Sequence, residues 1–180
     1  MNTLITPDRI DSIKHLTTRA PASGAAAEVG VYKGGSLKVI AECFPNRVVY
    51  GFDTFGGLPR EHWQANESHS VGDFSDTSLV SVQSFLIGNK NVRLLEGIFP
   101  KSAEEHGLNE EKFAFVHIDV DFYLAVRASL EWIWPRMVSG GLVVFDDFGW
   151  HRCPGVARAL AEFGHKVYES APLQAFLIKG

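Results

Sequence analysis

Ala25-Ala-Ala-Glu-Val-Gly-Val-Tyr-Lys-Gly-Gly-Ser36 decides how the rest of the chain is read. An apolar run, interrupted by one acid at Glu28, enters the turn Tyr32-Lys-Gly-Gly-Ser36. Ser36 is then placed to cap a helix reaching about Cys43. Strand, glycine turn and helix make the first step of a βα repeat, and the pattern continues. Arg47-Val-Val-Tyr-Gly-Phe52, Asn91-Val-Arg-Leu-Leu95, Phe113-Ala-Phe-Val-His-Ile118 and Gly141-Leu-Val-Val-Phe145 read as further strands. Helices are expected from Asp76-Thr77, over Pro100 to His106, over Leu124 to Trp134 and over Pro154 to Phe163. A helix opening at Thr6-Pro7-Asp8 precedes the repeat. Two strands, Lys166 to Ser170 and Gln174 to Lys179, close it as a hairpin around Ala171-Pro172. Strands alternating with helices imply an α/β fold, with a mostly parallel seven-stranded sheet, helices on both faces and a C-terminal antiparallel hairpin.

The bulk numbers narrow the field. The 180 residues are 46% hydrophobic, enough for one sizeable core. One domain is expected, with residues 1–24 as an N-terminal helix or short lid and 25–180 as the core. The formal net charge is -4, with no basic run to suggest nucleic acid or an anionic membrane. Cys43 and Cys153 fit no metal or redox spacing and are expected as free thiols in a reducing compartment. No signal peptide or spanning segment is read, so the expected location is cytoplasmic.

Ligands of open α/β sheets bind at the carboxyl ends of the strands. The glycine turn departs from a dinucleotide fingerprint, because Tyr32 stands where the middle glycine would be. Gly30, Gly34 and Gly35 still allow close approach of a ligand without phosphates, such as S-adenosylmethionine. Asp53 ends the second strand, where an acid accepts ribose hydroxyls. Glu28, inside a strand, is expected to need a cationic partner, such as a ligand ammonium. The other reading of the turn is a plain β-to-α connection.

The other strand ends carry acids: Asp119 and Asp121 after one strand, Asp146 and Asp147 after the next. Carboxylates crowded on one edge repel unless a cation sits among them. Oxygen ligands favour Mg²⁺, Mn²⁺ or Ca²⁺ over Zn²⁺. Such a cation beside a methyl donor could lower the pKa of a bound hydroxyl. The competing reading is helix capping, strongest for Asp121. His117 reads as a core histidine or as support behind the site. His62, His69 and His151 read as loop histidines in solvent, with His151 close enough to Asp147 to be a candidate base. Trp63, Phe148 and Trp150 are candidates for an acceptor pocket. Trp132-Ile-Trp134 reads as core or as an oligomer contact, so a homo-oligomer stays open. The long segment 54–75 reads as a functional loop.

Taken together, Glu28-Val-Gly-Val-Tyr-Lys-Gly-Gly-Ser36, Gly51-Phe-Asp-Thr-Phe-Gly-Gly-Leu-Pro59, Gly72-Asp-Phe74, His117-Ile-Asp-Val-Asp-Phe-Tyr123 and Gly140-Gly-Leu-Val-Val-Phe-Asp-Asp-Phe-Gly149 resemble the macrocin O-methyltransferase family (TylF/MycF/NovP type). The resemblance implies a Rossmann-like class I methyltransferase fold, S-adenosylmethionine as donor, and Mg²⁺-dependent transfer to a hydroxyl of a small molecule, often on a sugar. It implies Asp119, Asp146 and Asp147 as metal ligands and Asp53 as the ribose acid. Glu28, Gly30, Tyr32, Gly34, Ser36 and Thr54 would form the donor site, with Ser75 and Asp76 near the adenine. Asp119 is the family-like base, with Asp121 close by. Phe122 stands where related catechol-type enzymes carry a lysine, which excludes a lysine base there. Only about two dozen residues precede the first strand, so acceptor choice is expected to differ from the family. The competing functions are a nicotinamide-dependent oxidoreductase and a non-catalytic binding module on the same fold.

Overall fold

The structure, a computed structural model, describes residues 2–180. Its centre is one seven-stranded sheet: β1 Ala25–Val29, β2 Val49–Asp53, β3 Val92–Glu96, β4 Phe113–Ile118, β5 Met137–Asp146, β6 Tyr168–Ala171 and β7 Gln174–Ile178. The strand order is β3-β2-β1-β4-β5-β7-β6. The first five strands pair in parallel, and β7 runs antiparallel between β5 and β6. Strand order therefore reverses beside β1 and β4, a switch point where a crevice opens at the carboxyl ends.

Six helices cover the sheet: α1 Pro7–Thr17, α2 Gly35–Cys43, α3 Leu79–Phe85, α4 Lys101–Glu105, α5 Tyr123–Ile133 and α6 Pro154–Phe163. Alternation along the strands sorts the core into two layers. Ala26, Phe115, Leu142 and Val144 pack with Ile10, Ile13, Leu37 and Ile40 from α1 and α2. Ala27, Val116, Val143 and Phe145 face the other way, onto Val126, Leu130, Val156 and Leu160 of α5 and α6. Burying both faces explains why β4 is apolar but for His117, with every residue buried.

Three boundaries differ from the sequence reading. Gly34, not Ser36, is the N-cap of α2; its φ of +84° favours a residue without Cβ. Helix α3 opens at Ser78 rather than Asp76, because Ser78 and Ser81 form a reciprocal capping box. Strand β5 starts at Met137, ahead of the expected Gly141. Gly140 and Gly141 stay in register because both exchange backbone hydrogen bonds with Lys179. Residues 54–75 form the expected long loop, with one 3₁₀ turn at Arg60–His62. Neither cysteine is in a disulfide. No described helix is long and apolar enough to cross a membrane.

Candidate active site

The carboxyl ends of β1, β2, β4 and β5 meet around a cavity of about 510 Å³, within the range of small-molecule sites. Gly30, Tyr32, Ser36, Asp53 and Thr54 line one side. Asp119, Asp121, Asp146 and Asp147 line the other. Tyr32, Asp121 and Asp147 all adopt positive φ, at 51°, 54° and 59°. Left-handed non-glycine residues cost free energy and gather at sites that need them.

Gly30 has a specific task. A Cβ there would lie 1.8 Å from the Asp119 carbonyl oxygen, and its φ is +90°. The absent side chain thus lets the end of β1 close on the end of β4, which sets Asp119. Asp53 ties the glycine turn to β2. Its Oδ2 accepts from the backbone N–H of Val31 and Tyr32, both at 2.8 Å, and its Oδ1 accepts from Phe55 at 2.7 Å. A carboxylate offers about four acceptor positions, so capacity remains for a ligand hydroxyl. Gly35 N–H donates to the Asn2 carbonyl at 2.9 Å, which lays the N-terminal segment across the turn. Asn2, Thr3, Leu4 and Ile5 consequently line the cavity.

Glu28 sits differently from expectation. It is fully buried beneath the cavity and meets His117, with Nδ1 and Oε1 2.9 Å apart. The partner needed by its carboxylate comes from the adjacent strand, since Glu28 and His117 are in register. Glu28 Oε2 and His117 Nε2 have no hydrogen-bond partner. Gly34 packs toward Val82 and does not line the cavity. Ser75 and Asp76 are exposed and off the cavity wall; Asp76 accepts from the Tyr32 hydroxyl at 2.7 Å and pairs with Lys33.

On the acid side, burial and the charges of Asp146 and Asp147 raise the Asp119 carboxyl well above the usual range. Burial and Asp146 push Asp147 up to about 6, opposed by Arg9. Arg9 was not singled out in the sequence. It projects from α1, only 8% exposed, and its Nη1 lies 3.0 Å from Asp146 Oδ2 and 3.1 Å from Asp147 Oδ1. Its signal was its position: Arg9, Ile13 and Leu16 share the buried face at helical spacing. Gln174 completes the arrangement, with Nε2 3.3 Å from Asp146 Oδ1.

Asp121 faces a different group. Its Oδ1 accepts from the Cys153 thiol at 3.3 Å and lies 3.7 Å from His69 Nε2. His69 is therefore no solvated loop histidine; it is buried against Phe74 and Trp150. Glu67 fixes this part of the loop by accepting from the Tyr123 N–H at the start of α5. His151 is exposed and off the cavity wall. Of the three aromatic candidates, Trp150 lines the cavity, while Trp63 and Phe148 do not. Trp132 is core, and Trp134 is partly buried against it.

Residues 2–177 match the family described as Macrocin-O-methyltransferase (TylF). The chain belongs to this family. Its similar curated proteins include mycinamicin III 3''-O-methyltransferase of Micromonospora griseorubida, 27% identical over 167 residues. A second is 8-demethyl-8-(2,3-dimethoxy-alpha-L-rhamnosyl)-tetracenomycin-C 4'-O-methyltransferase of Streptomyces olivaceus, 24% identical over 173 residues. These matches cover 82% and 84% of the TylF-family chain. It spans 65% and 64% of those two proteins' lengths. The solved O-methyltransferase NovP superposes with a TM-score of 0.85 at 20% identity, covering 99% of this chain and 82% of that one. This is the class I methyltransferase fold that the resemblance had implied.

Proposed function

We propose that this chain is an S-adenosylmethionine-dependent O-methyltransferase that modifies a hydroxyl on the sugar of a small natural product, one of a vicinal pair. The observation that carries the reading is the meeting of two sets of groups in one cavity. The glycine turn with Asp53 forms one wall, and Asp119, Asp146 and Asp147 form the other. The family and the two sugar O-methyltransferases similar to it support the same reading.

In this reading Asp53 receives the donor's ribose hydroxyls on its free acceptor positions, and Gly30, Tyr32, Ser36 and Thr54 bound the donor's side of the cavity. The donor supplies a sulfonium methyl when bound. Asp119, Asp146 and Asp147 would hold Mg²⁺, Mn²⁺ or Ca²⁺. The fit is chemical: these are hard oxygen donors crowded at one sheet edge, and burial together with the neighbouring carboxylates raises Asp119 and Asp147, with only Arg9 opposing at Asp147. A divalent cation there would supply charge to favour an ionised acceptor hydroxyl. Asp119 is the family-like group to take the hydroxyl proton, with Asp121 close by on the same wall. The remaining task of the chain is alignment of oxygen and methyl, to which positioning contributes most. Asn2 to Ile5 would act as a short lid over the cavity, held against the single catalytic domain by the N-terminal helix.

The test is methyl transfer from S-adenosylmethionine to a panel of glycosides and catechols, read as a one-methyl mass increase. Transfer to a vicinal diol, stopped by excess EDTA and restored by Mg²⁺, is the expected result. Transfer that persists in EDTA would remove the metal. Failure to bind the donor at all would remove the reading.

A further inference from the structure

Among the buried polar side chains, His69 stands out. It is 7% exposed, and its Nε2 has no hydrogen-bond partner. Its Nδ1 lies 3.4 Å from Asp73 Oδ2. His69 Nε2 faces Asp121 Oδ1 across a gap of 3.7 Å, too far for a hydrogen bond. A buried ring nitrogen left without a partner beside a carboxylate is a position a cation can fill. Cys153 Sγ borders the same gap, 3.3 Å from the same oxygen.

We propose that His69 Nε2, Asp121 Oδ1 and Cys153 Sγ form a binding site for a borderline divalent cation of the Zn²⁺ type, separate from the set Asp119, Asp146 and Asp147. The three ligand atoms lie within 4.8 Å of one another, the one such triple among the described residues. Tetrahedral zinc binds N and O at about 2.0–2.1 Å and S at about 2.3 Å, which spaces ligand pairs roughly 3.3–3.6 Å apart. The observed separations of 3.3 and 3.7 Å match that spacing within a small adjustment. Nitrogen and sulfur donors select Zn²⁺ or Co²⁺ over Mg²⁺. Asp73 behind His69 is the carboxylate that usually orients a metal-bound imidazole.

Binding breaks the Cys153 S–H bond and forms a sulfur–metal bond, and the proton passes to solvent. The ligands come from three segments: the loop 54–75, the stretch after β4, and the residue before α6. An ion there ties the loop to the sheet edge. Its fourth position opens on the cavity, because His69 and Asp121 both line it. A water or an acceptor oxygen would take that position. The site does not depend on the methyl-transfer reading.

The experiment is titration of the full chain with Co²⁺ alone, followed by optical absorption. A thiolate-to-cobalt charge-transfer band in the near ultraviolet is expected, removed by Zn²⁺ and unaffected by Mg²⁺. The chain has only two cysteines, so Cys43→Ser should keep the band and Cys153→Ser should lose it. His69→Gln, which leaves the thiol in place, should weaken Co²⁺ binding at least about tenfold, as loss of a direct ligand exceeds the effect of a supporting one. Circular dichroism checks the fold of each variant. No band in the wild type, a band that survives Cys153→Ser, or unchanged affinity in a folded His69→Gln would each overturn the site.

Discussion

Arg9 Nη1 stands between two consecutive carboxylates, 3.0 Å from Asp146 Oδ2 and 3.1 Å from Asp147 Oδ1. The sequence reading asked for a cation among these acids, and the N-terminal helix delivers one. A divalent ion using the same two oxygens must displace or share with the guanidinium. On the proposed function, docking of the N-terminal helix and ion binding would therefore be coupled. Removing one partner from a buried pair typically costs about 3–5 kcal/mol, because the remaining charge is left uncompensated. Arg9→Ala should lose thermal stability in EDTA and recover more of it with Mg²⁺ than the wild type gains. Equal Mg²⁺ shifts in a calorimetric scan of the two proteins would show that Arg9 and the ion do not compete.

Asp53 serves the fold and, on the proposed function, the donor. Three backbone N–H groups, from Val31, Tyr32 and Phe55, converge on its carboxylate. Hydrogen bonds to a charged group contribute about 1.5–3 kcal/mol each, and this one is partly solvated. Asp53→Ala should lower stability by about 2–4 kcal/mol and abolish S-adenosylmethionine binding. Isothermal calorimetry at a temperature where the variant is folded separates the two effects. Unimpaired donor binding would remove Asp53 from the donor site.

The fold was legible because local patterns carried it. Phe113–Ile118 is apolar at every position but His117, since both faces are covered, and its end at Asp119 marks the sheet edge. The glycine pair Gly140-Gly141 hid the start of β5, because its pairing with Lys179 is a long-range fact. The carboxylates of the site were legible as strand ends. Their partners were not. Arg9 reaches Asp147 across 138 residues, and His69 reaches Asp121 through a loop with no periodicity. Glu28 called for a positive partner, and the residue that answers, His117, lies 89 positions away. Only strand register brings them together.

Gly30 gives a sharp backbone prediction. A methyl there would overlap the Asp119 carbonyl at 1.8 Å, in a conformation with φ of +90°. Backbone cannot yield as a flexible side chain can. Gly30→Ala should destabilise by more than about 4 kcal/mol, or prevent folding. Gly140 is the comparison: its φ is +77°, but an added Cβ would meet only Pro21 at 3.4 Å. Gly140→Ala should cost about 1–2 kcal/mol, the usual penalty for a left-handed residue with a Cβ. Urea melts of similar midpoint for the two variants would contradict the close approach of β1 to β4.

The pair Glu28–His117 should write a pH dependence into stability. Burial alone pulls the His117 ring down, but the hydrogen bond and charge of Glu28 outweigh it, so the ring lies above its ordinary 6.5. Burial also raises the Glu28 carboxyl above its ordinary 4.5, His117 opposing. Both shifts mean that the folded protein holds protons which the unfolded chain releases. The ring's contribution is complete below pH 6.5 and is lost as pH rises through the folded value; that of Glu28 declines in the same direction from 4.5 upward. In Glu28→Gln the carboxylate is gone, and burial governs the ring. Its pKa then falls below the unfolded value, so the slope from His117 reverses and stability rises with pH through the ring's unfolded range. Urea unfolding at closely spaced pH values from about 5.5 to 8.5 reads both slopes. The same negative slope in wild type and Glu28→Gln would mean that another group sets the pH dependence.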